Sequence, residues 1–161
     1  GVALALRAGE APAEEVQGLA QRALVKMQAW RAESDSDARR STTALVLALL
    51  GRGEEAVALS QQVEAAYPLE RDQLEAADRL IDSATTYALL ADEAAVLSRL
   101  QTLATSKFVG MNLCSIPHGI HHQAIWQMPA ARQFISEQCE PVWVRNREQL
   151  LPVLERLQES A

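Results

Sequence analysis

Small and apolar residues recur in a phased order through the middle of the chain, at Ala44, Leu47, Leu50, Gly51, Ala56, Ser60, Val63 and Pro68. A fainter copy follows 40 residues later, at Ala84, Tyr87, Leu90, Ala91, Val96, Leu100 and Leu103. Each set has helical spacing on both sides of a tight bend. Gly51-Arg52-Gly53 supplies the first bend, where glycine takes the backbone angles that other residues avoid. A helix pair of this kind cannot bury its apolar face alone. It stacks on its neighbours and leaves a curved surface of the sort used for binding. The pattern therefore predicts an all-α chain of antiparallel helix pairs. Composition agrees, because Ala, Leu, Glu, Gln and Arg abound while Phe and Tyr occur only twice each, against the aromatic and β-branched runs that sheets need.

The 161 residues hold a single domain with a real core. Gly1 to Leu6 reads as the tail of a helix already under way, which predicts a piece of a longer polypeptide, with 1–36 as a truncated first unit. Gly9 closes that helix and Pro12 opens the next. Val16, Leu19, Ala20, Ala23, Leu24, Met27 and Trp30 carry it to about Ala32. A polar turn at 33–37 precedes a helix from Asp37 or Ala38 to Leu50, paired with Glu54 to Ala66 and stopped by Pro68. The second pair is Leu69 to Leu90, with a buried stripe at Leu74, Ala77, Ile81, Ala84, Ala88 and Leu89, and Ala94 to Ala104. Beyond Ser106 the periodicity fades. The segment 107–161 reads as an irregular closing segment: a structured loop to Gly119, a turn or two of helix before Pro129, a short helix from Ala130 to Cys139, and a final amphipathic helix on Leu150, Leu151, Leu154 and Leu157. Pro141 either breaks the pattern or starts that last helix, and Pro152 starts or kinks it.

These residues resemble the tetratricopeptide repeat family, with 37–68 as one unit and 69–106 as the next. The order small, large, Gly, Ala, large, Pro is present at Ala44, Leu47, Gly51, Ala56, Val63 and Pro68. Arg40 stands where the family often places Trp, Ser60 replaces an aromatic, and Ala91 stands where Gly is expected. Pro129, Arg132 and Phe134 are similar to the end of repeat domains attached to bacterial sensor or transcription-regulator proteins. The resemblance implies a right-handed α-solenoid and a non-catalytic role in protein–protein or regulatory interaction. It implies a protein or peptide partner, or a neighbouring domain of the same polypeptide. A cut array exposes an apolar end, which adds self-association as a homo-oligomer.

Net charge is −6 with scattered basic residues, which disfavours a nucleic-acid groove. No apolar run reaches the roughly 18 residues that suggest a membrane span. Cys114 and Cys139 are too few for a disulfide scaffold, so a reducing, cytoplasmic setting is expected, although a single bridge stays open. Cys139 reads as a small core residue. Gly51-Arg52-Gly53 is a turn and not a phosphate cradle. No enzyme activity and no cofactor are expected.

Two groups of residues invite chemistry. Cys114, His118, His121 and His122 cluster, and Cys114, His118 and His122 would be the ligands if zinc were bound. With Trp126, the histidines form the alternative reading, a small-molecule or metal sensing pocket closed by 108–128, or more remotely a metal-assisted hydrolase. The leading reading places a docking groove on the first helix of each pair, at Arg39, Arg40, Thr43, Arg79, Asp82, Ser83 and Thr86. Arginine and hydroxyl groups there would clamp a partner's carboxylate. The acidic row Asp72, Glu75, Asp78 and Asp82 would lie on a solvated face or receive a basic peptide.

Overall fold

The phasing yields helices close to the expected bounds. α1 is Ala13–Glu33, α2 Asp37–Leu49, α3 Gly53–Ala66, α4 Gln73–Leu89 and α5 Glu93–Ala104. A short 3-10 helix, Leu113–His118, precedes α6, Gln123–Gln127, and α7, Pro129–Glu159. This computed structural model describes residues 13–106, 113–118 and 122–159, without the side chains of 13, 118 and 153–159. The helix expected at Gly1 to Ala8 and the loop at 107–112 lie outside the described residues, as does His121.

Side chains mark where the helices start. Ser36 Oγ accepts from the Arg39 N–H at 3.4 Å. The Asp72 carboxylate accepts from the N–H groups of Leu74 and Glu75 at 3.2 and 3.1 Å, and Asp92 accepts from that of Ala95 at 3.0 Å. Each satisfies donors that a helix N-terminus otherwise leaves open.

Both hairpins bend in the same way. Arg52 N–H reaches back to the Leu47 carbonyl at 3.0 Å and Gly51 N–H to that of Ala48 at 3.0 Å. Forty residues on, Asp92 N–H binds the Tyr87 carbonyl at 3.0 Å and Ala91 N–H that of Ala88 at 3.1 Å. This is a Schellman closure repeated in register, and it requires a left-handed residue just past each helix. Gly51 takes φ 72° without cost, whereas Ala91 is held at φ 59°. An L side chain pays about 1–2 kcal/mol there. Ala91→Gly is accordingly expected to stabilise the chain by about 0.5 kcal/mol, after subtracting the extra freedom glycine has when unfolded. A thermal melt reads this directly, and a lowered midpoint would contradict the assigned strain.

α2 packs against α1, α3 and α4, and α4 against α3 and α5, so consecutive pairs stack tightly. Ala44 and Ala56 are wholly buried, letting α2 and α3 approach closely, with Leu47 and Val63 in the seam. Val96, Leu100 and Leu103 line the second pair beneath Tyr87. α7 lies on α5, and α6 bridges α4 and α7. Leu113, Ile116, Ile125, Ile135 and Cys139 extend the second core into this closing cluster. The fold is therefore an all-α, repeat-like stack of helix pairs with a distinct C-terminal helix cluster.

Three expectations need correction. Leu74 is exposed, not part of the buried stripe; it falls in the first turn of α4, which begins only at Gln73. Trp30, expected in the core rather than as an exposed anchor, is 49 % exposed, with the guanidinium of Arg39 6.0 Å from its ring centre. The short helix and the final helix are one, α7, with Pro129 at its first position and Pro141 and Pro152 inside it. Proline removes one helical hydrogen bond. At Pro141 the carbonyl released is that of Glu137; both residues are exposed, so water takes over.

Candidate functional site

The residues expected to line a groove fall on α2 and α4, two helices in contact, but most of their polar groups are turned inward. Arg39 Nη1 donates to the carbonyls of Ser34, at 2.7 Å, and of Trp30, which closes the end of α1. Its guanidinium lies 6.0 Å from the Trp30 ring centre. Arg40 is shared between Asp35 and Asp37, at 2.9 Å each. Thr43 and Thr86 are buried, and their hydroxyls return to their own helices, to the carbonyls of Arg39 at 2.6 Å and Asp82 at 3.0 Å. This back-bonding satisfies a hydroxyl without any partner molecule. Ser83 is buried against Glu64 and Arg99. The clamp of basic and hydroxyl groups on a partner's carboxylate is thus largely committed within the chain.

What faces outward is acidic. Arg79 bonds Glu75 through Nε at 3.1 Å and through Nη2, and reaches Asp82 Oδ2 with Nη1 at 3.1 Å. One guanidinium therefore serves Glu75 and Asp82, while Asp78, exposed one turn before Asp82, has only its distant pull. Burial pushes the Asp82 carboxyl above the ordinary carboxylate value; Arg79 and the Ser41 hydroxyl of α2 pull the other way, and Asp78 adds to the rise. Partial burial likewise raises Asp78, opposed by Arg79 and reinforced by Glu75. Tyr67 extends this acidic surroundings: its hydrogen bond to Asp37 holds the phenol proton on. Burial is the main cause of both rises, and Arg79, bonded to Glu75 and Asp82, is the countercharge that opposes them.

Behind this face lies a network that short-range spacing does not reveal. Arg99 of α5 donates to Glu64 of α3 at 2.7 and 3.2 Å, to Ser83 Oγ at 3.2 Å and to the Ala95 carbonyl at 3.2 Å. Its guanidinium sits 4.0 Å from the Tyr87 ring centre. The Tyr87 hydroxyl in turn accepts from Gln61 Nε2 at 3.4 Å. Glu64 and Arg99 are 35 residues apart, and the one sequence cue was Tyr87 in phase with Leu47.

One of the three candidate zinc ligands, Cys114, is not a free thiol. Cys114 is bonded to Cys139, with Cα atoms 5.3 Å apart. A sulfur in a disulfide is not the thiolate that zinc requires, so Cys114 is withdrawn as a metal ligand and Cys139 is more than a core filler. His122 places Nδ1 at 3.1 Å from Thr85 Oγ1. The same Thr85 hydroxyl also lies 2.9 Å from the Ile81 carbonyl. The His118 side chain and all of His121 lie outside what is described. Among the described residues no group of three His, Cys, Asp or Glu is placed to hold a metal. Trp126 turns instead toward α7 and lines a cleft with Trp143. Among the described residues no helix is long and apolar enough to cross a membrane. No family model matches the chain, and neither does any curated protein or solved structure with which it was compared.

Proposed function

We propose that the chain is a non-catalytic interaction module of tetratricopeptide-like design, and that its α2–α4 face receives a basic segment of a protein partner. The observation that carries this reading is the row Glu75, Asp78 and Asp82 at three- and four-residue spacing on α4, where the one guanidinium of Arg79 is bonded to Glu75 and Asp82 and not to Asp78. A lysine or arginine docked there relieves like-charge crowding and gains charge-assisted hydrogen bonds. The polarity is the reverse of a carboxylate clamp, since the arginines of this face are already engaged. The disulfide supports an oxidising compartment rather than the cytoplasm.

A fluorescent lysine-rich octapeptide tests the reading by anisotropy. It is expected to bind, more weakly as salt rises, and the double variant Asp78→Asn/Asp82→Asn is expected to lose about tenfold in affinity. A control variant, Glu14→Gln/Glu15→Gln on α1, removes the same charge elsewhere. Equal losses in the two variants would reduce the effect to net charge and end the proposal.

Stability gives a separate check. Asp82 binds its proton more tightly folded than unfolded, so its contribution is fully present below the unfolded value of 3.8 and is lost as pH rises through the folded value. Asp82→Asn is therefore expected to flatten that part of the pH profile. It should leave the pH 7 midpoint undiminished, because Arg79 retains Glu75 and is not orphaned. A clear loss of stability at pH 7 would mean that Asp82 is a structural ion-pair partner instead.

A further inference from the structure

The closing cluster opens a cleft of about 720 Å³ between the 3-10 helix, α6 and α7, far from the acidic face in its chemistry. α7 supplies one wall in two parallel rows, Val142, Asn146, Leu150 and Trp143, Arg147, Leu151, each spaced by one helical turn. Trp126 of α6 contributes the second indole. The Trp143 Nε1–H is already donated to the Cys114 carbonyl at 3.1 Å, so this ring offers its apolar body rather than its polar tip. Leu150 and Leu151 remain 57 % and 49 % exposed. Arg147 stands on the same wall, between Trp143 and Leu151, with no hydrogen bond or ion pair among the described residues.

We propose that this cleft binds an amphiphilic carboxylate, its apolar body against the indoles and leucines and its head on Arg147. The volume suits a small-molecule ligand, and a mostly apolar wall with few polar groups is what such sites look like. Two indoles alone would also suit a quaternary ammonium, but the Arg147 guanidinium on the same wall opposes any cation. A neutral apolar molecule fills the space and gains nothing from the guanidinium, which stays in water. A carboxylate meets it with a two-pronged, charge-assisted contact. The chain's net charge of −6 gives anions no long-range attraction, so apolar burial supplies most of the affinity and Arg147 selects the head group at contact. This site stands independently of the basic-peptide reading, since the two share no residue.

The test uses three ligands with the same tail: decanoate, decanol and decyltrimethylammonium. Tryptophan emission is followed in a Trp30→Phe background, which leaves Trp126 and Trp143 as reporters. Decanoate is expected to saturate below its micelle range and to bind about tenfold more tightly than decanol, the worth of one good charge-assisted contact. Arg147→Ala should abolish that preference while leaving decanol binding unchanged, and Arg147→Lys should restore part of it. Leu150→Asp should weaken all three ligands. Equal affinity for decanoate and decanol, tighter binding of the ammonium, or no saturable signal from any ligand would each overturn the proposal.

Discussion

Replacing Cys114 and Cys139 together by alanine is expected to lower the unfolding free energy by about 4 kcal/mol. The bridge closes a loop of 25 residues, and the entropy removed from the unfolded chain by a loop of that length corresponds to roughly 3.5 kcal/mol. Both sulfurs are buried in the cluster that holds Ile116, Ile125 and Ile135, so deleting them adds a small cavity cost. The loss should also be local. The 3-10 helix and α6 lie inside the closed loop, while α2 with α3 and α4 with α5 close by their own turns. Amide exchange at Ile116 and Ile125 should therefore accelerate before that at Leu47 or Leu100. Urea denaturation of oxidised, reduced and substituted protein measures the whole effect. A loss below about 1 kcal/mol would show that apolar packing alone secures the closing cluster. Reduction should also loosen the wall of the amphiphile cleft, because Trp143 is tied to the backbone of Cys114.

The hairpins were legible because their determinants are local. Ser36, Asp72 and Asp92 cap helices within three residues of themselves, and Leu47 and Tyr87 mark the carbonyls that close each bend. Burial of a single position was less legible where it depends on what stands opposite. Leu74 continues the stripe of α4 in its first turn and Trp30 that of α1 in its last, and both are exposed. α7 passes through Pro141 because the affected turn faces water, a fact spacing alone does not supply. The residues expected in the groove fall on two helices in contact, α2 and α4, and most of their polar groups are bonded within the chain. A threonine such as Thr43 or Thr86 reads equally well as a ligand donor and as a hydroxyl bonded back to its own helix. The carboxylate row was visible from its three- and four-residue spacing, and only the coordinates revealed that Arg79 is divided between Glu75 and Asp82. The pairing of Cys114 with Cys139 joins segments 25 residues apart, beyond the reach of periodicity.

Truncating Arg99 is expected to cost about 2–3 kcal/mol, because its guanidinium ties three helices together in a half-sheltered place. Exposed ion pairs contribute about 0–1 kcal/mol, and breaking a buried pair costs roughly 3–5 kcal/mol. The Arg99 and Glu64 side chains are 15 % and 22 % exposed, so Arg99→Ala belongs between these limits, nearer the upper. It strands Glu64 beside Ser83 and also removes the cation–π contact with Tyr87, itself worth about 0.5–2 kcal/mol. Glu64→Gln should cost less, since an amide oxygen still accepts from Arg99. The joint variant Arg99→Met/Glu64→Leu should recover most of the loss, because an apolar pair of similar volume leaves no charge uncompensated. A double-mutant cycle by urea denaturation separates these terms, and simple additivity would refute the proposed coupling. The same contact bears on recognition. Glu64 belongs to the first helix pair and Arg99 to the second, with α4 held between them through Ser83 and Tyr87. Loosening it lets α4 shift against α2, and the Asp82–Ser41 register of the acidic face shifts too. Arg99→Ala should therefore weaken the lysine-rich peptide several-fold although Arg99 never touches it, and Arg99→Met/Glu64→Leu should bind as the wild type does.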